Sequence, residues 1–347
     1  MRAALSPEYV VVRCHAMSTE LLSREKLLEI AKARDEVDFR DRMLATPYRP
    51  VMEELPPDAR AIDYEGAIYT LLMNRVERVI KVAPEDFEAY LRVYFPLKFE
   101  ISNLKRILRG KHAGRDIAEI RDSLLPLSPL EIVDYKPLLE AEDVEGVVEA
   151  LRGTIYTPLY ERLELYREHY ALWVLEAELL HIFAEELERA AESSPRRFRD
   201  LLRSITSIRV GVDALLLAVS VSTVGCEYLD PDVVKPILEH VVEVPPEVVE
   251  VIMERGELRE ALGLLKHPID EVMEPILEGD AAAVRRRQEE RLMTLVEEAV
   301  KMRYFDFPYI LWFLMRCEAE ARDLVRIAWG IDQKLPYELF SRHLLLI

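Results

Sequence analysis

Glycine is scarce in this chain, at 11 of 347 residues, and asparagine and glutamine are scarcer still: Asn74, Asn103, Gln288 and Gln333 are all there are. No glycine-rich loop with the GxxxxGK[ST] spacing of a phosphate cradle is present. Cysteine is limited to Cys14, Cys226 and Cys317. They are far apart and odd in number, which excludes a disulfide framework and a zinc cluster and predicts reduced, mostly buried thiols in a cytosolic protein. Positive charge is also in deficit. The formal net charge is -18, the wrong sign for a protein held to a nucleic-acid backbone or to a membrane by a polybasic face. No unbroken apolar run approaches the ~20 residues of a membrane span. The most apolar stretch, Val210 to Val224, is interrupted by Asp213 and several serines. Glu8, Arg13 and His15 lie where a signal peptide needs an unbroken apolar region.

What is present is helix-forming. Leu, Ala, Glu and Arg dominate and half of the residues are apolar, enough for a large core. Few amides beside many acids and arginines is the composition of a hyperthermophile protein. Apolar positions Leu163, Tyr166, Tyr170, Trp173, Ala177, Leu180, Ala184 and Leu187 step by three or four, predicting one long helix from about Pro158 to Glu192. Ser128-Pro129 followed by Glu131 reads as a capped helix start. Pro7, Ser193-Ser194-Pro195 and Pro245-Pro246 punctuate the helices, and Tyr9 to Arg13 is the one short candidate strand.

The chain repeats itself with a period near 110 residues. Leu44-Ala-Thr-Pro-Tyr48-Arg-Pro50-Val-Met-Glu53 aligns with Leu151 to Glu161, so that Tyr48 falls on Tyr156 and Glu53 on Glu161. A weaker third copy is Val272-Met273-Glu274. Phe87, Leu91, Leu104 and Gly114 recur as Phe198, Leu202, Leu215 and Gly225, and the first three again as Phe307, Leu311 and Leu324. Within this block Glu100-Ile-Ser-Asn103-Leu104-Lys-Arg106-Ile107 parallels Glu320-Ala-Arg-Asp323-Leu324-Val-Arg326-Ile327. The repeat divides the chain into helical units 1–115, 116–226 and 227–347.

No motif commits the chain to catalysis. Gly110-Lys-His-Ala-Gly114 reads as a helix C-terminus, with cations complementing the dipole and glycine supplying the cap. Glu178-x-x-His181 has di-iron spacing, but a lone pair reads as a boundary histidine satisfied by its neighbour. Arg196-Arg197 and Arg285-Arg286-Arg287 read as solvated faces, and Tyr309, Trp312 and Phe313 as core. The cations Lys105, Arg106, Arg109 and Lys111, gathered at one helix end of an acidic chain, are a candidate contact for an acidic partner.

Three stretches carry a family resemblance. They are Tyr9-Val-Val-Val-Arg13 with Glu20-Leu-Leu-Ser23 and Leu44-x-Thr46-x-Tyr48; Glu100 to Gly114; and Cys317 to Pro336. Together they resemble the C subunits of archaeal and vacuolar-type (A/V-type) ATP synthases, equivalent to the d subunit of the eukaryotic vacuolar pump. The resemblance implies an all-α fold of three similar helical units around a pseudo-threefold axis, forming a funnel. It implies a non-catalytic central-stalk (rotor) component with no cofactor and no metal. Such a component caps the membrane rotor ring of proteolipid c/K subunits on its cytoplasmic face and receives the central-shaft subunits D and F. It would pass torque during ion-driven ATP synthesis or ATP-driven ion pumping, as a cytoplasmic, peripheral protein without direct membrane insertion or nucleic-acid partner. The chain departs from the family pattern in its second unit, where Ala214-Leu-Leu-Leu-Ala-Val-Ser-Val221 replaces an expected Asn-Ile-Lys-x-x-x-Arg segment. Outside this family, the leading alternative is a generic helical-repeat adaptor that binds other proteins; solenoid units usually span roughly 30 to 45 residues, so the period near 110 favours a closed or compact three-lobed body instead.

Overall fold

The computed structural model describes residues 6–346, and among them there is helix and loop but no strand. The long helices are α1 (Pro7–Ser18), α2 (Ala61–Ile80), α3 (Lys98–His112), α4 (Trp173–Ser193), α5 (Arg199–Val224), α6 (Ala281–Met302) and α7 (Phe307–Asp332). Shorter α, 3-10 and π segments connect them.

The stretch read as a strand, Tyr9 to Arg13, is part of α1. Ser6 caps the helix by accepting from the Tyr9 N–H, and Pro7 occupies the first turn, where a missing N–H is harmless. Val10, Val11 and Cys14 are buried on the face that packs along α7, while Val12 points outward. Tertiary burial therefore overrides the β preference of three consecutive valines. The helix expected from Pro158 to Glu192 is also broken. A 3-10 turn (Thr157–Arg162) and a short helix (Leu163–His169) end at Tyr170, which adopts a left-handed φ of 50° before α4 begins. Tyr170 is 64% exposed, so the apolar stripe is interrupted there. Ser128-Pro129 starts no helix; the next one begins at Tyr135, capped by Asp134.

Two compact units emerge from the contacts. One comprises residues 6–92, 124–130 and 289–346; the other comprises 93–123 and 131–288. The chain passes from the first to the second at a π segment, Val93–Leu97, where Pro96 sits inside the helix and cannot donate to it. In the first unit α2 packs along α7, and in the second α4 packs along α5.

The period seen in the sequence is reproduced in backbone detail. Left-handed residues close the three block helices at Gly114 (φ 64°), Gly225 (φ 72°) and Lys334 (φ 55°). Beyond the cap, the Arg115 N–H returns to the Gly110 carbonyl, as the Leu335 N–H does to Gly330. At both glycines a side chain crosses the helix closely: a Cβ on Gly110 would lie 2.5 Å from Ile120 Cγ1, and one on Gly330 would lie 2.7 Å from Phe340 Cδ1. Ile120 and Phe340 are themselves separated by 220 positions, like the two glycines.

Two substitutions test these caps by chemical denaturation. Lys334→Gly removes a Cβ from a left-handed position and is expected to stabilise by about 0.5–1 kcal/mol. Gly330→Ala forces Phe340 aside and is expected to destabilise by about 1–3 kcal/mol despite alanine's better helix propensity.

Candidate functional site

The block that repeats most faithfully is a buried polar device on α3 and α7. In α7 the Glu320 carboxylate is 1% exposed and accepts from the Tyr48 hydroxyl at 2.8 Å, from the Leu22 backbone N–H and from Arg75 at 3.1 Å. In α3 the Glu100 carboxylate, equally buried, accepts from the Tyr156 hydroxyl at 2.8 Å and from the N–H groups of Ile132 and Val133 at 2.7 and 3.0 Å. Each glutamate thus holds the Thr-x-Tyr turn of another repeat, Glu100 that of the second and Glu320 that of the first. Both turns are built alike: the Thr46 and Thr154 hydroxyls donate back to Met43 and Leu151 and accept from the Tyr48 and Tyr156 N–H groups. Burial pushes the Tyr48 and Tyr156 hydroxyls well above the ordinary tyrosine range, so both stay protonated as donors.

Three residues further along, Asn103 and Asp323 are fully buried. Asn103 donates to the Tyr135 hydroxyl at 3.2 Å, and Asp323 accepts from the Leu345 and Leu346 N–H groups at 2.8 to 3.0 Å. Arg326 donates to the His343 carbonyl at 3.0 Å; its counterpart Arg106 donates to the Ser123 carbonyl, the equivalent position in the first repeat.

Each of the four cations expected to form a contact has a defined place. Arg106 fastens the chain segment that follows α3, as just described. Arg109 is 63% exposed and grips Glu176 of α4 with two bonds at 2.5 and 2.8 Å. Lys111 donates to the Leu139 and Ala141 carbonyls at 2.7 and 2.5 Å, stapling the end of the helix Tyr135–Glu140. Lys105 is half-buried and its pKa is lowered by burial, against the attraction of Glu176 and Asp213. Lys105 lies at the middle of α3 and the other three in its second half, and Arg106, Arg109 and Lys111 each serve an internal contact.

The second repeat lacks the polar device because both sides of it have changed. The position equivalent to Glu100 is Gly211, and that equivalent to Tyr48 is Ile269. A Cβ on Gly211 would lie 2.8 Å from Ile269 Cδ1 and Val241 Cγ1 and 3.3 Å from Val244 Cγ2. Aliphatic side chains fill the space that a carboxylate and a phenol occupy in the other copies. The run Ala214–Val221 is accordingly core, with Ala214, Leu215, Leu216, Ala218, Val219 and Val221 all buried. α5 is the one helix among the described residues long and apolar enough to cross a membrane, and most of that surface is buried against protein.

Glu178 and His181 are 3.4 Å apart, and Glu178 also takes Arg162 at 2.7 Å. Among the described residues no three His, Cys, Asp or Glu side chains are placed to hold a metal. Arg285 and Arg287 pair with Asp213 and Glu274, and Tyr309 and Phe313 are buried in the core of the first unit. The tyrosine partners of Glu100 and Glu320 were not expected, although the recurrence of Tyr48 as Tyr156 and of Glu100 as Glu320 marks them.

The hydrogen bond to Glu178 raises the His181 pKa above its usual 6.5. A histidine raised on folding stabilises fully below the unfolded pKa, and that contribution is lost as pH rises through the folded value. His181→Gln is therefore expected to lower stability by about 1 kcal/mol or less below pH 6.5, with the difference from wild type shrinking at higher pH in denaturation measured across that range.

Residues 10–342 match the family model described as ATP synthase (C/AC39) subunit. The chain is similar to the A-type ATP synthase C subunit of Pyrococcus horikoshii, at 22% identity over 95% of this chain and 88% of the relative. It is also similar to that of Methanothermobacter thermautotrophicus, at 24% over 92% and 82%. The match to the Methanobrevibacter smithii protein is 27% identical over 62% of this chain and spans about half of the relative, 54% of its length. The match runs over nearly the whole chain, and on it this chain belongs to the ATP synthase (C/AC39) subunit family.

Proposed function

We propose that the protein is a non-catalytic central-stalk component of an A/V-type ATP synthase, joining the membrane rotor ring to the shaft subunits D and F and passing torque between them. The observation that carries this reading is the family match over residues 10–342. The repeat adds a physical rationale. Three units of 1–115, 116–226 and 227–347 around a pseudo-threefold axis, forming a funnel, would offer a cytoplasmic platform to a many-fold ring on one side and a socket to a single shaft on the other. Inequivalent repeats suit this task, because a single shaft needs one orientation. The block is polar in the first and third copies and aliphatic in the second.

Torque transfer across a non-covalent junction needs shape fit or charge registry, and the second is sensitive to salt. In this reading Lys105, Arg106, Arg109 and Lys111 form part of one rotor contact, with the Arg109 side chain 63% exposed. What supports the reading is that four cations fall within seven positions of an otherwise acidic chain of net charge -18.

The test is assembly. The tagged protein is expected to retain both the ring and the D–F shaft from solubilised membranes; binding neither would overturn the reading. Arg109→Glu together with Lys111→Glu is expected to weaken retention of one of the two at least about tenfold, in a salt-dependent manner. Arg109→Gln, with its melting temperature recorded, separates loss of contact from loss of the Glu176 pair. Unchanged assembly of the double reversal would remove these cations from the interface.

A further inference from the structure

We propose that the N-terminal segment folds with α7 and not with α3 of its own sequence repeat, and that Glu320 is the clasp that joins them. The basis is which segment each block helix receives. α3, the last helix of the first sequence repeat, belongs to one compact unit with the start of the second repeat, and its Glu100 holds Tyr156, Ile132 and Val133. α5, the last helix of the second repeat, carries Gly211 against Val241, Val244 and Ile269 at the start of the third. α7 is the last long helix of the third repeat. It receives the start of the first: Glu320 holds Tyr48 and Leu22, separated from it by 272 and 298 positions.

The clasp is reinforced along the whole of α7. His15 Nδ1 lies 3.0 Å from the Tyr309 hydroxyl near its start. At its middle, Arg75 pairs with Glu320 while lying 5.5 Å from the centre of the Tyr48 ring; Tyr48, Arg75 and Glu320 are each at most 2% exposed. Towards its end, the Trp329 indole donates to Glu65 at 2.8 Å and the Ala61 N–H faces Asp332 at 3.4 Å. The first ninety residues thus complete their core on the last sixty, in the same compact unit. Residues 93–115, which the sequence repeat assigns to the same unit as that N-terminal segment, belong to the other compact unit.

A head-to-tail clasp has a physical consequence. The N-terminal segment cannot bury Tyr48 and Arg75 until the C-terminal helix exists, so its completion is a high-contact-order, late step, in contrast to the local closure of Glu100 on Tyr156. Opening of the clasp would expose residues 20–55 and α7 together and leave the Glu100 module closed.

Hydrogen exchange on the full-length protein tests this with matched variants, Tyr48→Phe and Tyr156→Phe, each removing one hydroxyl from one glutamate. Tyr48→Phe is expected to speed exchange at least about tenfold in residues 20–55 and 307–332 together, leaving 98–112 and 130–160 as in wild type. Tyr156→Phe is expected to do the reverse. Should Tyr48→Phe loosen 20–55 together with 98–112 while 307–332 stays protected, the sequence repeat is the folding unit and the proposal fails; no change anywhere also defeats it. If a variant does not fold, denaturant-dependent exchange of the wild type decides. One shared opening free energy for 20–55 and 307–332, distinct from that of 98–112, supports the clasp, and a shared value for 20–55 and 98–112 overturns it.

Discussion

A carboxylate buried away from water is tolerated only when its oxygens are filled, because an unpaired charge in the interior costs several kcal/mol. Glu100 and Glu320 impose that requirement at the centre of the two polar block helices, and much of the local architecture follows from meeting it. Each takes a tyrosine hydroxyl and backbone N–H groups from a segment remote in sequence. The donor segments must therefore be folded and in register before either glutamate is satisfied. The Thr-x-Tyr turns do this locally, with the threonine hydroxyl setting the backbone so that the tyrosine enters the core. Glu320 has the additional charge of Arg75 beside it, whereas Glu100 relies on neutral donors, and burial pushes the pKa of Glu100 up.

The second repeat shows the alternative solution to the same packing problem. Removing one partner of a buried polar pair leaves the other stranded, but replacing both with apolar groups of matching shape is nearly neutral. Glycine at 211 and isoleucine at 269 are such a joint replacement, since the isoleucine methyl approaches where a glutamate stem would start. The aliphatic run that follows on α5 then has only hydrocarbon to face and is buried accordingly. The apolar run at residues 214–221 is thus consistent with the aliphatic junction beside it. It leaves three repeats that share a backbone plan and differ in the chemistry of their junctions.

Charge is used in two ways in this chain. Many surface pairs are i,i+3 or i,i+4 contacts such as Lys26–Glu29, Arg49–Glu53 and Arg92–Glu88, each worth a few tenths of a kcal/mol at most. The arginines at repeated positions act differently. Arg106 and Arg326 fasten the chain that follows each block helix by donating to a carbonyl 17 positions on. Their recurrence in the sequence therefore reflects the fold first, and Arg109 and Lys111 combine internal fastening with a place at the same helix end.

Periodicity and end chemistry are local properties of the chain, and they were legible in its sequence. The all-helical character, the period near 110 and the glycine cap at Gly114 with its echo at Gly225 are all written in residue types that act within one helical turn. The third cap, Lys334, was hidden because a lysine replaces glycine at the left-handed position. Tyr9 to Arg13 read as a strand because valine favours a pleated surface in isolation, while burial against α7 makes it a helix. The break at Tyr170 was equally silent. Tyr170 there meets the remote His112 ring, centred 4.3 Å away, and the local Tyr166 ring at 5.7 Å. Which segment each glutamate holds was decided only in three dimensions, because a hydrogen bond spanning 272 positions leaves no spacing to read. The sequence determined the repeated part; the tertiary structure decided where one part ends and the next begins.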